Sequence, residues 1–288
     1  MAREIETVGV VGLGTMGAGI AQVCIQGGVE VVGREVSAEL GERAAERIGH
    51  FLTRAVEKGR LEQAERDAAM ARLRLTTDLA DLAGCDLVIE AAFEDLDVKR
   101  ELFAELDRLV ASDAILATNT SALSVTDIAR ATERPERVVG MHFFNPAPLM
   151  RLVEIVRAQQ TADDVAEAAY AFAERVGKTP IRCHDTPGFV VNRVLIPLMN
   201  DCVRVLDEAH VTPEDLDKGM KHGAGWPLGP CELLDLVGID IHVHASEALH
   251  AALGERRMAP PERLAEMVQA GRLGKKAGRG FFEYETGS

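Results

Sequence analysis

Short apolar runs recur through the first two thirds of the chain, and amphipathic segments separate several of them. Six of these runs have the length of a buried β-strand. They are residues 8–11, 29–32, 87–91, 115–117, 138–144 and 152–156. Strands that alternate with helices in this way are typical of βαβ units. We therefore expect an α/β fold with a doubly wound, mostly parallel sheet.

A longer charged segment, residues 38–73, separates the second of these runs from the third. Its apolar positions recur at helical spacing and share one face. They are Ala44, Ile48, Phe51, Leu52, Ala55 and Val56. Gly59 is suited to ending this helix, and a second helix can follow from about Gln63. We therefore expect a helical hairpin that projects from the sheet, with Phe51 packed on its apolar face.

The pattern changes near residue 185. From there to about residue 209 the chain reads as one helix, apolar on most of its sides. Such a helix is normally buried on several sides. The rest of the chain contains helical segments interrupted by glycine and proline, without strand alternation. We place a domain boundary at this point, so that residues 186–288 form a second, all-α domain of common size.

Composition and charge narrow the choice of partners. The 288 residues carry a net charge of −14 and no concentrated basic patch, which argues against a nucleic-acid surface. No apolar run is long enough to span a bilayer, and the N-terminus lacks the basic and apolar regions of an export signal. The five cysteines form no CxxC pair, and their odd number argues against a full disulfide framework. We therefore expect a cytoplasmic protein that binds neither nucleic acid nor membrane.

The segment VGVVGLGTMGAGIAQ places Gly12, Gly14 and Gly17 in GxGxxG spacing between a strand and a helix. In that setting the motif predicts a dinucleotide site. The glycines allow a tight turn and close approach of the pyrophosphate. The helix N-terminus, which begins with Thr15 and Met16, attracts the negative charge of the phosphates.

The end of the second strand bears on the choice of dinucleotide. Glu35 lies where an acidic residue is expected to bind the adenosine ribose, which favours NAD. Arg34 precedes it and is suited to a 2′-phosphate, so NADP remains an alternative. We therefore expect residues 1–185 to form an NAD-binding domain of the Rossmann type.

A histidine and a glutamate are the candidates for acid–base chemistry. His142 follows a predicted strand, at the end of the sheet where doubly wound folds bind ligands. Glu154 lies twelve residues on, in the next apolar run. A carboxylate beside an imidazole fixes its tautomer and stabilises the imidazolium. Alone, His142 suits a core residue and Glu154 a solvated one, but beside a dinucleotide loop we favour a catalytic pair.

Several segments together resemble the L-3-hydroxyacyl-CoA dehydrogenase family, which includes bacterial 3-hydroxybutyryl-CoA dehydrogenases. They are GLGTMGAGIAQV, VIEAAFEDLDVK, ATNTSALS, GMHFFNPAPLMRLVEIV, DTPGFVVNR, GAGWPLGPCELLDLVG and GRLGKKAGRGFF. They cover almost the whole chain in order. The resemblance implies interconversion of a short-chain (3S)-3-hydroxyacyl-CoA and a 3-ketoacyl-CoA with NAD. It also implies a homodimer formed through the helical domain, which agrees with the length of apolar helix there.

By position, the resemblance makes His142 the catalytic histidine and Glu154 its carboxylate partner. It places Ser121 against the substrate oxygen and Asn192 in contact with the substrate. Lys58 of the hairpin corresponds to a lysine that meets CoA. The residues that the resemblance places near the cofactor are Glu94, Lys99, Asn145 and Lys276.

Two of these residues also have structural interpretations. Ser121 follows the strand at residues 115–117 and so reaches the same sheet edge as His142, but it also opens the segment TSALSVTDIA and can cap a helix there. Asn192 lies in an otherwise apolar helix, where a buried amide needs hydrogen-bond partners. Either a bound acyl thioester or a group across the domain junction can supply them.

The chain departs from the family pattern at three positions. Phe51 stands where relatives often carry a serine near the CoA, Glu35 replaces a commoner aspartate, and Ala122 replaces a second serine. The first departure leaves open an acyl-carrier-protein (ACP) dehydrogenase, such as one acting on hydroxymalonyl-ACP. Intact catalytic residues argue against a crystallin-type structural protein. They also argue against the 3-hydroxyisobutyrate and 6-phosphogluconate group, which relies on a catalytic lysine.

Overall fold

Eight β-strands form one sheet in the N-terminal part of the chain. They are β1 Thr7–Val11, β2 Glu30–Arg34, β3 Leu73–Thr76, β4 Leu87–Glu90, β5 Ile115–Thr118, β6 Val138–Phe143, β7 Leu152–Arg157 and β8 Thr179–His184. Their order across the sheet is β3-β2-β1-β4-β5-β6-β7-β8. Strands β1 to β6 are parallel, β7 is antiparallel to β6, and β8 is parallel to β7. The predicted α/β class and mostly parallel sheet are confirmed.

Six helices accompany the sheet. They are α1 Thr15–Gln26, α2 Ala38–Glu57, α3 Gln63–Ala71, α4 Leu96–Leu109, α5 Val125–Ala129 and α6 Asp163–Arg175. The structure is a computed structural model that describes residues 4–285. It divides into two compact units between Thr186 and Pro187, and these strands and helices belong to the first.

The edge strands β3 and β8 do not correspond to any of the six apolar runs. Both have mixed exposure along their length, whereas β4, β5 and β6 are buried at every residue. Strand β6 also extends to Phe143, so His142 lies within the strand and not after it. The catalytic candidate is therefore held by strand pairing on both sides of its own residue.

The predicted hairpin is formed by α2 and α3, and Gly59 ends the first helix with a left-handed backbone at φ +63°. The expected packing of Phe51 is wrong. The buried side of α2 carries Ile48 and Leu52, and Phe51 lies beside it with 52% of its surface exposed. Its ring and that of His50 meet edge to face, at a centroid distance of 6.0 Å and an angle of 64°. The short helix α3 buries only Ala69.

The second unit is helical, as predicted. Its helices are α7 Val191–Glu208, α8 Pro213–Gly223, α9 Pro230–Val237, α10 Ile239–Leu253 and α11 Glu262–Gln269. Helix α7 begins later than expected because residues 187–190 form a turn, in which Gly188 and Phe189 have φ +76° and +46°. None of the helices in residues 4–285 combines the length and apolar character needed to cross a bilayer.

Helix α7 is amphipathic and not buried all round. Met199 and Val203 enter the core of the second unit with Leu234 of α9 and Leu264 of α11. On another side Val194 is 63% exposed. The sequence overestimated the burial of this helix because its apolar residues are shared between a core face and a surface face.

The buried amide of α7 is Asn200 and not Asn192, which is only half-buried. The Asn200 amide nitrogen donates to Ser246 Oγ at 2.9 Å and to the carbonyl of Met258 at 3.2 Å. Its oxygen therefore faces His242, whose Nε2 lies 2.9 Å away and donates to it. Burial lowers the pKa of His242 from 6.5 to about 4, so the imidazole is neutral in the folded unit near neutral pH.

We expect this histidine to make the second unit less stable in acid. The unfolded chain binds the imidazole proton below about pH 6.5 and the folded unit only near pH 4, so stability is full above 6.5 and falls as pH decreases toward 4. The loss is about 3 kcal/mol, at about 1.4 kcal/mol per pKa unit. Urea unfolding followed at the single tryptophan, Trp226, measures it because that residue packs on this core.

His242→Gln is the matched control, since its amide can donate to Asn200 but does not titrate. The variant should be less stable at neutral pH and lose less stability between pH 6.5 and 4. The same loss in both proteins over this interval would contradict the assignment of the acid sensitivity to His242.

Candidate active site

The glycine-rich loop between β1 and α1 has the shape that a dinucleotide requires. Gly12 has φ +84°, and a Cβ there would lie 2.9 Å from the carbonyl oxygen of Ala91. A Cβ at Gly17 would lie 1.7 Å from the oxygen of Gly12, whereas one at Gly14 would meet nothing within 4 Å. The loop is thus closed toward the sheet and open at Gly14, where a phosphate can approach the backbone.

Helix α1 begins directly after this loop. Its N-cap is Gly14, which has no side chain to cap the helix. Thr15 and Met16 are its first two residues. The first N–H groups of a helix lack intrahelical partners and carry partial positive charge. The loop and this helix end therefore fit the pyrophosphate of a dinucleotide.

Glu35 and Arg47 hold the glycine-rich loop from outside. Glu35 Oε1 accepts from the amide of Leu13 at 2.7 Å, and its Oε2 accepts from Val36 at 2.9 Å. Arg47, on α2, donates from one nitrogen to the carbonyls of Leu13 and Gly14 at 2.9 and 3.1 Å. The carboxylate expected at the ribose thus lies beside the loop and also orders it.

His142 and Glu154 are direct cross-strand partners in the antiparallel pair of β6 and β7. Their Nδ1 and Oε2 atoms lie 2.7 Å apart, and both residues are buried, Glu154 completely. If Nδ1–H donates to this carboxylate, neutral His142 carries its basic lone pair on Nε2. The centroids of the Phe144 ring and the imidazole lie 4.5 Å apart, so this ring also limits the orientation of the imidazole.

Ser121 lies in the loop after β5 and is held by Glu94. Oε1 of Glu94 accepts from Thr120 Oγ1 at 2.6 Å, from the Ser121 amide at 2.9 Å and from the Ala122 amide at 3.3 Å. Burial opposes ionisation of this carboxyl, but the Thr120 hydroxyl, the charge of Lys99 and the Ser121 amide outweigh it and lower the Glu94 pKa. The capping interpretation of Ser121 is wrong, because Ser124 caps α5.

Lys99 is a buried ammonium, with 1% of its surface exposed. Its Nζ lies 2.5 Å from Glu90 Oε1 and 3.4 Å from Glu94 Oε2. Glu90, at the end of β4, is also buried and accepts from Thr118 Oγ1 at 2.7 Å. Contact of Lys99 or Glu94 with the cofactor stays a prediction.

Asn145 lies in the loop that joins β6 to β7. Lys178 spans the base of this loop, since its Nζ donates to the carbonyls of Ala147 and Met150 at 2.5 and 3.0 Å. Burial lowers the pKa of Lys178 below its ordinary value. The loop that carries Asn145 is therefore fixed by an ammonium that comes from the start of β8.

The remaining predicted residues belong to other elements of the chain. Lys58 is exposed and caps the C-terminus of α2. Asn192 and Lys276 belong to the second unit. There Lys276 Nζ pairs with Asp240 Oδ1 at 2.6 Å. Burial opposes ionisation of Asp240, but bonds from Lys276 and the Ile241 amide lower its pKa.

Four residues of the first unit that the sequence did not single out shape this site. They are Arg47, Glu90, Asn119 and Lys178. Glu90 carried a signal, because a carboxylate that ends the apolar strand LVIE needs a buried partner. The side chains of the other three bond the backbone, and such contacts leave no pattern in the sequence.

A dinucleotide loop and a buried histidine–carboxylate pair lie at the strand ends of one doubly wound sheet. Together they define a nucleotide-dependent dehydrogenase of the Rossmann class. Comparison with known proteins makes the assignment narrower. The chain belongs to the 3-hydroxyacyl-CoA dehydrogenase family: residues 7–186 match its NAD binding domain and residues 188–284 its C-terminal domain.

Individual relatives agree with this assignment. A 3-hydroxybutyryl-CoA dehydrogenase of Mycobacterium tuberculosis is 46% identical over 99% of this chain and 100% of its own length. A probable 3-hydroxybutyryl-CoA dehydrogenase of Deinococcus radiodurans is 44% identical over 96% and 99% of the two chains. The crystal structure of (S)-3-hydroxybutyryl-CoA dehydrogenase from Ralstonia eutropha superposes with a TM-score of 0.95 at 41% identity, over 98% and 100%.

We expect His142→Gln to remove most turnover and to leave NAD binding nearly unchanged. A positioned general base contributes about 10²–10⁴-fold to the rate. Glu154→Gln should also lower kcat, because the imidazolium loses its charged partner. Steady-state rates measure the turnover of both variants, and the fluorescence of bound NADH measures cofactor binding by His142→Gln. Wild-type turnover by Glu154→Gln across neutral pH would refute the catalytic pair.

Proposed function

We propose that this protein interconverts a short-chain (3S)-3-hydroxyacyl-CoA and the corresponding 3-ketoacyl-CoA, with NAD as hydride carrier and 3-hydroxybutyryl-CoA as the model substrate. The His142–Glu154 pair at 2.7 Å is the observation that carries the proposal. With Nδ1–H donated to Glu154, the pair offers Nε2 as a buried base near the end of β6, and oxidation of an alcohol requires a base for the hydroxyl proton.

Each residue has a distinct task in this proposal. Nε2 of His142 takes the proton of the 3-hydroxyl group, and Glu154 stabilises the imidazolium that forms. Ser121 holds the reacting oxygen by a hydrogen bond, and Asn192 contacts the acyl thioester. The glycine-rich loop would hold NAD, which would supply the acceptor for the hydride that carbon 3 of the substrate loses. In the reductive direction the imidazolium returns the proton to the keto oxygen.

Glu35 favours NAD over NADP. Its carboxylate lies beside the glycine-rich loop, where it can accept from a ribose diol and repel a 2′-phosphate. The guanidinium of Arg34 bonds another segment, since its Nε donates to the carbonyl of Thr77 at 3.3 Å. Arg47 donates to the loop backbone directly and is the residue that would favour a phosphate there.

A turnover screen tests the activity and the cofactor together. We expect reduction of acetoacetyl-CoA by NADH, with a lower kcat/KM for NADPH and for longer 3-ketoacyl-CoAs. Glu35→Ala should weaken NADH binding and reduce the preference, because the acidic group is lost. Equal kcat/KM for both cofactors in the unmodified protein would refute the role of Glu35. Absence of turnover with any 3-ketoacyl-CoA would refute the proposed activity.

CoA is the proposed carrier, and the hairpin is its proposed contact. The phosphates of CoA need local cations on a chain of net charge −14. Lys58 and Arg54, one helical turn apart, are both exposed there. Phe51, also exposed, lies on the same helix and offers a flat apolar surface on which an adenine can stack.

The carrier is testable with two thioesters of one acyl group. We expect Lys58→Ala to raise KM for acetoacetyl-CoA strongly and to leave KM for the N-acetylcysteamine thioester unchanged, because the truncated substrate lacks the phosphates. Glu57→Ala, one residue earlier and also exposed, is the matched control. Equal effects on both substrates would contradict CoA recognition by the hairpin and would favour the ACP alternative.

A homodimer through the second unit is also proposed. Val190, which caps α7, and Val194 within it leave apolar surface exposed, and on α10 Ile241 does the same. Association with a second copy of the chain would remove this surface from water. Light scattering at micromolar concentration should give twice the 31.1 kDa chain mass. The monomer mass would contradict the dimer.

A further inference from the structure

Ser121 lies on a loop segment whose backbone is held mainly by one carboxylate. The segment runs from the end of β5 to the start of α5. Two of its amides, those of Ser121 and Ala122, donate to Oε1 of Glu94 at 2.9 and 3.3 Å. The Thr120 hydroxyl donates to the same oxygen at 2.6 Å. One carboxylate oxygen therefore takes donors from three consecutive residues.

The hydroxyl of Ser121 is the loosest of these contacts. Its Oγ lies 3.4 Å from Glu94 Oε1, at the outer limit of a hydrogen bond. The backbone of Ser121 is thus fixed more firmly than its hydroxyl. Such an arrangement suits a side chain that must turn to a substrate oxygen while its Cα stays in place.

Glu94 is itself fixed by buried charges. Its Oε2 lies 3.4 Å from Lys99 Nζ, and Lys99 pairs with Glu90 at 2.5 Å. Glu90 in turn accepts from the amide of Ala92 at 2.7 Å. A buried ion pair of this kind has little freedom, because either partner alone would be an uncompensated charge. The position of Glu94 is therefore set from the interior of the sheet.

A second contact joins the same loop to the catalytic strand. Asn119, two residues before Ser121, accepts through Oδ1 from the amide of Phe143 at 2.9 Å. Phe143 directly follows His142 in β6. The loop of Ser121 is thus tied at one end to the strand of the base and at the other to Glu94.

We propose that Glu94 is a positioning residue for Ser121: its carboxylate fixes residues 120–122, so that the serine stays in register with His142, and it acts on turnover through that serine. The inference rests on the role of Ser121 in the proposed function. The proposed role belongs to Oε1, which accepts from residues 120–122, and it is separate from any contact that Oε2 makes with the cofactor.

The inference predicts a specific division between kinetic constants. Glu94→Gln keeps the size of the side chain but loses the charge that gathers the donors. We expect kcat to fall about 10–100-fold, since small displacements of a catalytic group cost about 10²-fold. KM for NADH should stay within about twofold. Thr120→Val, which removes one donor to Glu94, should give a smaller effect of the same kind.

A double-mutant cycle tests whether Glu94 acts on kcat through Ser121. We expect Glu94→Gln to lower kcat in the wild-type background but to add at most about a twofold loss in Ser121→Ala, because residues that act as a unit are not additive. Glu101→Gln, which removes an exposed charge from α4, is the matched control and should leave kcat unchanged. An equal factor in both backgrounds, or a rise in KM for NADH without loss of kcat, would overturn the inference.

Amide hydrogen exchange keeps this test separate from the proposed activity. In Glu94→Gln we expect faster exchange at Ser121 and Ala122, with exchange at Phe143 and the melting temperature nearly unchanged. Unchanged exchange at both amides would overturn the inference whether or not the protein turns over an acyl-CoA. Failure of the proposed function appears instead in the wild-type rate.

Discussion

The hydrogen bond between His142 and Glu154 depends on one reversal of strand direction. Six strands of the sheet run parallel, and β7 turns back against β6 so that the two residues lie opposite each other. Opposite residues in an antiparallel pair share a face, with Cβ atoms about 4.5–5.5 Å apart. That separation suits a carboxylate that must reach an imidazole nitrogen. The geometry of this pair is therefore set by backbone pairing and by burial, without a flexible connection.

The loops around this pair are ordered by charges that the chain keeps out of water. Glu90 and Lys99 lie inside the first unit, and Lys178 reaches back to the loop that follows β6. A charge is costly to bury unless it is paired or well hydrogen-bonded. Each of these groups meets that condition with groups of neighbouring loops or strands. Because these buried charges must keep their partners, they hold the loops at the strand ends in fixed positions.

The sequence predicted the interior of the sheet but not its edges. The six apolar runs correspond to strands that are flanked on both sides, and such strands have continuous apolar character. Edge strand β3 contains the exposed Arg74 and gave no such signal. At the site, residues such as Gly12 and His142 were predictable from type and context. The roles of Arg47 and Asn119 were not, because both act on the backbone of another segment and only the fold brings that segment near.

Helix α1 starts at a glycine, whereas α2 and α5 start at serines whose hydroxyls accept from their first turns. A bound nucleotide would give the first turn of α1 the acceptors that its cap residue does not supply. Folding and nucleotide binding are then thermodynamically linked, and a ligand at a hundred times its Kd adds about 2.7 kcal/mol of stability. The lifetime of such a protein in a cell depends on the size of the nucleotide pool as well as on its own sequence.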